Sequence, residues 1–87
     1  MIRYAATPAV DELHTDEGGL VLLHQRLVHL GPVGSVIRKC AATPTTLAAL
    51  TEALVSAFGV PDGDLPALTR EAVDALVAQE LLAVVDD

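Results

Sequence analysis

His14, His24 and His29, the single cysteine Cys40, Ser35 and three acidic pairs are the residues of this 87-residue chain whose types could do chemistry. The histidines fall along three successive predicted strands, but no His-x-His or His-x-x-x-His spacing occurs, and His24 and His29 flank a turn. Zinc ligands need convergence that such spacing does not supply, so solvated, edge-facing imidazoles are expected and no metal site. Cys40 follows Arg38 and Lys39, a setting that can activate a thiol. It also shares an apolar stripe with Val36 and Ile37, which makes it a small buried hydrophobe rather than a nucleophile. The pairs Asp11-Glu12, Asp16-Glu17 and Asp86-Asp87 lie in predicted turns or at the end, where burial cannot tune them for acid-base work. No glycine-rich phosphate loop or nucleophile elbow is present. An enzyme is therefore not expected, nor a cofactor.

Composition narrows the partners. Twelve acidic against five basic side chains give a formal net charge of -7, which repels nucleic-acid phosphates and anionic lipid at long range. A single cysteine allows no internal disulfide, which suits a reducing, cytoplasmic location. The opening "MIRYAATPAVDE" lacks the apolar core of a signal peptide, and no apolar run approaches the ~20 residues of a membrane helix. The hydrophobic fraction is 52%, yet only Tyr4 and Phe58 are aromatic, so the core is expected to be aliphatic. The chain reads as one domain over residues 1–87.

Strand signals come first. Pro8 to Leu13 is a short run, "HTDEGG" supplies a turn with Gly18 and Gly19, Leu20 to His24 is nearly continuous in apolar residues, and Gln25-Arg26 turns into Leu27 to Leu30. The period then becomes helical. Pro32 suits a first turn, followed by Val33, Val36, Ile37 and Cys40 at intervals of three and four. "ATPTT" breaks this helix, and Thr45 or Thr46 can cap a second one with the stripe Leu47, Leu50, Leu54 and Phe58, closed by Gly59-Val60-Pro61. Asp64 can cap a third helix carrying Leu65, Leu68, Ala72, Val73, Leu76 and Val77 to about Gln79, with Arg70 and Asp74 spaced to pair. "ELLAVVDD" finishes as a short extended tail. The fold class is α+β: a winged-helix-like arrangement of a three-stranded antiparallel sheet followed by three helices.

With no credible catalytic group, the third strand becomes the functional candidate. Leu27 to Leu30 forms an edge with neither lysine nor proline inside it, an open template for an extended peptide. Four or five backbone hydrogen bonds at about 1 kcal/mol each are consumed by an association cost of about 4 to 15 kcal/mol. Useful affinity therefore needs apolar pockets beside the edge, each buried side chain adding roughly 1.5 to 3 kcal/mol, and the third helix is best placed to supply them.

The stretch "GGLVLLHQRLVHLGPVG" and the closing "REAVDALVAQELL" are similar to the patterns of the PqqD-like peptide chaperones. These are the recognition elements that bind leader peptides of ribosomally made, post-translationally modified peptides (RiPPs). The resemblance runs from about residue 8 to 85 and rests on apolar and turn patterns. Gly31 stands where the family often has Asn, Glu80 where it often has Gly before the final Leu-Leu, and the hairpin turn is shorter. The resemblance implies a groove between the third strand, Leu27, Val28, His29 and Leu30, and the third helix, Leu68, Ala72, Val73, Leu76 and Val77. Ala72, Val73 and Val77 are the favoured contacts, and Arg26 and Arg70 are available to leader carboxylates. It also implies a precursor peptide as partner, with a leader peptidase and cyclase as in standalone members of lasso peptide pathways, or a radical SAM enzyme. The free edge also allows a homodimer. Two rivals share parts of this pattern. A winged-helix DNA-binding domain needs a basic third helix, where Arg70 stands against Glu71, Asp74 and Glu80. An acyl carrier needs Asp before its modified serine, where Gly34 precedes Ser35.

Overall fold

Residues 11–30 form a three-stranded antiparallel meander, separate from β1 (Ile2–Ala6), of β2 (Asp11–Thr15), β3 (Gly18–Leu23) and β4 (Arg26–Leu30), in the order β2-β3-β4. The computed structural model describes residues 1–86, so Asp87, the last of the acidic residues noted above, lies outside the described residues. Leu13 pairs with Leu20, Leu20 with His29, and Leu22 with Leu27. Side chains alternate across the pleat. Glu12, His14, Val21, Val28 and Leu30 turn towards the helices, while Asp11, Leu13, Leu20, Leu22, Leu27 and His29 turn away.

Two expectations about this sheet are corrected. The first strand begins at Asp11 rather than Pro8, and proline, with no N–H to give, cannot extend the ladder there. The glycines belong to β3 rather than to the turn, which is Asp16-Glu17. Gly18 adopts φ 141° and a Cβ there would stand 2.2 Å from the Leu30 carbonyl oxygen. Its lack of a side chain serves close backbone approach.

The N-terminal residues, to which no strand was assigned from the sequence, form β1, and the tail forms β5 (Leu82–Asp86), paired antiparallel from Ile2 with Asp86 to Ala6 with Leu82. The other edge of β1 is partly covered, since Tyr4 exchanges backbone hydrogen bonds with Thr45 at 2.7 and 2.9 Å, and Ala6 donates to the Ala41 carbonyl at 2.8 Å.

The helices follow the sequence reading closely: α1 (Pro32–Cys40), α2 (Leu47–Phe58) and α3 (Leu65–Ala78). Thr46, not Thr45, caps α2, its hydroxyl accepting from Ala49 N–H at 3.2 Å, while Thr45 is engaged by Tyr4. Asp64 accepts from Ala67 N–H at 3.2 Å at the start of α3. The Arg70–Asp74 pairing allowed by spacing is not among the ion pairs of the described residues. Cys40 is exposed, against the expectation of burial, because α1 turns Ile37, Arg38 and the following Ala41 inward and leaves Cys40 off that face. The core is Tyr4, Val21, Leu30, Ile37, Ala41, Leu50, Leu54, Val73, Leu76, Leu81 and Leu82, aliphatic except for Tyr4. Among the described residues no helix is long and apolar enough to cross a membrane.

The C-terminus of α3 closes through Glu80 and Leu81. Leu81 N–H donates to the Leu76 carbonyl at 2.9 Å and Glu80 N–H to that of Val77 at 3.0 Å, the paired bonds of a Schellman motif, with Leu76 and Leu81 buried together. Glu80 takes the left-handed φ of 65° that this motif requires. A non-glycine residue there costs roughly 1–2 kcal/mol, partly offset by the entropy glycine loses on folding. Glu80→Gly is accordingly expected to stabilise the protein by about 1 kcal/mol, raising Tm by roughly 4–8 °C in a chain of this size. Glu80→Val is expected to lower it. Calorimetric melting of the two variants checks both signs.

Candidate functional site

One side of β4 is held by β3, and the other meets no strand among the described residues. Val28 is half-buried and Leu30 buried on the helix side, whereas Leu27 and His29 lie exposed on the far face. Arg26 is anchored, its guanidinium donating to the Gln79 carbonyl at the end of α3. At the other end of the strand, the methyl groups of Leu30 and Leu76 converge on Gly34, where an added Cβ would lie 3.6 Å from each. β4 therefore meets the C-terminal part of α3, not its whole length.

This geometry sorts the groove residues expected from the sequence. Val73 is fully buried and Leu76 nearly so, so both are core beneath the sheet, and Val73 is removed from the favoured peptide contacts. Ala72 and Val77 remain half-buried at the margin of the core. Val77 lines a cleft of about 440 Å³ with Leu23, His24, Leu82 and Ala83, beside the β3–β4 turn. Leu68 is separate, exposed in an apolar pocket of about 330 Å³ with Val33, Leu54, Phe58 and Leu65 between the helices.

Behind the sheet lies a polar cluster that the sequence reading missed. The Arg38 guanidinium, 2% exposed, donates from Nε to Glu12 Oε2 at 2.9 Å and from Nη2 to Glu12 Oε1 at 3.1 Å. It also donates from Nη2 to the Thr7 carbonyl at 2.6 Å and from Nη1 to the Leu81 carbonyl at 2.5 Å. His14 Nε2 lies 2.7 Å from Glu12 Oε2, and His14 Nδ1 lies 2.6 Å from Ser35 Oγ. Glu12, although partly exposed, is therefore a strand carboxylate tied to Arg38, and His14 is not an edge-facing imidazole, because β2 runs from Asp11 through Thr15 and carries both, two residues apart, on the face towards α1. The detectable signal was the i, i+3 spacing of Ser35 and Arg38 on one face of α1 opposite the alternating pair Glu12 and His14.

Serine, imidazole and carboxylate in a line form the arrangement that activates a nucleophile. Here Ser35 is 1% exposed, and the carboxylate is held on both oxygens by Arg38, so the line ties β2 to α1 and offers no approach to a substrate. The same burial keeps Ser35 from the position of an acyl carrier's modified serine. His24 and His29 are exposed, and among the described residues no three His, Cys, Asp or Glu side chains gather into a metal-holding group. No family model, curated protein or solved structure matches the chain.

The hydrogen bonds from Arg38 hold the Glu12 carboxyl below its ordinary value of 4.5, against the opposing effect of burial and with further help from His14. A carboxyl depressed in the folded state contributes stability above its unfolded pKa and loses it as pH falls through the folded one. Unfolding free energy is expected to drop on acidification below about pH 5. Glu12→Gln is expected to be less stable at neutral pH and flatter over the acidic range in urea titrations. Arg38→Met leaves the Thr7 and Leu81 carbonyls and the Glu12 carboxylate without these donors. Each buried acceptor left without a donor costs about 1–3 kcal/mol, together a large share of the roughly 5–15 kcal/mol of a typical domain, and circular dichroism is expected to show substantial unfolding well below the parent Tm.

Proposed function

We propose that this protein is a non-catalytic recognition module that binds an extended peptide by strand addition to β4. The leader of a ribosomal precursor peptide is the ligand class favoured by the resemblance to PqqD-like recognition elements. Catalysis then resides in a separate enzyme, a leader peptidase, cyclase or radical SAM enzyme, to which the bound peptide is presented. The observation that carries this reading is the unpaired edge of β4 in a strand that is otherwise fixed, by β3 on one side, by Leu30 in the core and by Arg26 at the end of α3.

Energetics assign roles to the surrounding side chains. An added strand alternates its side chains across the pleat. Those on the helix side lie beside Val28 and, at the β3–β4 turn, towards Val77, and those on the far side stand next to Leu27 and His29. In antiparallel addition the peptide's paired segment ends opposite Arg26, near the cleft formed by Leu23, Val77 and Leu82. One apolar anchor there adds roughly 1.5–3 kcal/mol to backbone bonds that alone do not offset association. The formal charge of -7 and the single cation of α3, Arg70, weigh against duplex nucleic acid as the ligand.

Successive amides on a strand point to opposite sides. Of Leu27 and Val28, one N–H therefore faces β3 and the other the open edge. The variants Leu27→Pro and Val28→Pro are titrated calorimetrically with the leader of a short precursor peptide encoded beside this protein's gene. The variant that removes the outward donor is expected to keep its fold and lose at least tenfold in affinity. A peptide N-methylated at alternate positions repeats the test on the unaltered protein. Undiminished affinity in a folded proline variant of each kind, together with indifference to N-methylation, rejects strand addition.

A further inference from the structure

The outer face of β2–β3–β4 is unusual for a sheet covered by helices on one side only, since that face is normally polar. It presents two rows, Leu13, Leu20 and His29 in one and Asp11, Leu22 and Leu27 in the other. Leu13 is 60% exposed, Leu27 55% and Leu22 39%, and Leu20 is half-buried between them. Shallow apolar depressions run across both rows. Contiguous exposed apolar surface of this kind marks an interaction site.

The charges around it are of one sign. Asp11 stands in the lower row, and Asp16 and Glu17 form the β2–β3 turn at the end of the patch. All five cations lie elsewhere: Arg3 on β1, Arg26 turned towards Gln79, Arg38 buried, Lys39 on α1 and Arg70 on α3. The dimensions are also informative. Three strands, each paired over five residues, cover about 14 by 17 Å at the usual spacings, wide enough for one helix of ~10 Å diameter and long enough for roughly eleven residues of it. That footprint falls well short of the ~800 Å² per partner of a stable protein interface. A second copy of this chain brings the same acidic rim and a net charge of -7 to so small an apolar contact. A partner of opposite sign adds the electrostatic attraction that the leucines alone lack.

We infer that this outer sheet face docks a cationic amphipathic helix of another protein, whose apolar stripe covers Leu13, Leu20, Leu22 and Leu27 and whose flanking Lys or Arg residues face Asp11, Asp16 and Glu17. The surface is on the opposite side of the sheet from the helices and does not depend on the peptide reading of the β4 edge.

The probe is a synthetic amphipathic helix of Leu and Lys, about 14 residues or roughly four turns, titrated into the ¹⁵N-labelled full chain. Amide shifts are expected to centre on Asp11, Leu13, Leu20, Leu22 and Leu27. Affinity is expected to fall at least tenfold between about 0.05 and 0.5 M salt as screening shortens. The same helix built from Leu and Glu is expected not to bind. The double variant Leu13→Ser with Leu22→Ser, whose sites are already exposed and away from the β4 edge, is expected to fold and to abolish the shifts. Asp16→Asn with Glu17→Gln is expected to weaken binding and flatten its salt dependence. Shifts confined to the pocket of Val33, Leu54 and Phe58 overturn the proposal, as does equal binding of the Leu and Glu helix. So does a chain that sediments as a dimer and becomes monomeric in the Leu13 and Leu22 double variant.

Discussion

The buried guanidinium of Arg38 is the interaction on which the remaining structure depends. A guanidinium has five N–H donors, and the Glu12 carboxylate, the Thr7 carbonyl and hydroxyl and the Leu81 carbonyl supply five contacts within hydrogen-bond distance. Removing a charge from water is costly, and only such complete satisfaction offsets it. Each acceptor belongs to a different part of the chain. Glu12 lies on β2, Thr7 just beyond β1, and Leu81 between α3 and β5. Since the two sheets share no strand, this side chain on α1 is the polar joint between them.

The joint extends to the candidate peptide edge. Thr7 also donates its hydroxyl to the Glu80 carbonyl at 2.6 Å, so the residue in left-handed conformation at the end of α3 is fixed from outside the helix. Immediately before it, Gln79 accepts from Arg26 at the start of β4. The end of α3 is thus gripped at three successive carbonyls, of Gln79, Glu80 and Leu81. The position of β4 relative to the helices follows from that grip as much as from apolar packing at Leu30.

Local chemistry made much of this readable from the chain. Caps at Thr46 and Asp64, Pro32 at a first helical turn and the stripe of Leu50 and Leu54 act within a few residues, and all three helices appear where those signals stand. The β1–β5 pair has no such local mark, because its strands are separated by most of the chain. Arg38 escaped notice because charged side chains are ordinarily surface residues, and its acceptors are two distant carbonyls and a carboxylate that reads as part of an acidic turn. The β4 edge was legible from the hairpin pattern. The helix side of the site was less so: a stripe such as Leu68, Val73, Leu76 and Val77 shows which face is apolar, but packing against α1, α2 and β5 decides that Val73 is interior and Leu68 lies in another pocket.

Pairing of β1 with β5 sets Ile2 opposite Asp86, and the terminal amine of Met1 lies 3.9 Å from the Asp86 carboxylate. The two ends of the described chain therefore leave the fold side by side, from the sheet that carries neither the β4 edge nor the leucine face. This is the layout of a transplantable unit. It can be spliced into a surface loop of a larger protein with both junctions at one point, or joined end to end and reopened elsewhere, without crossing the faces on which recognition is proposed.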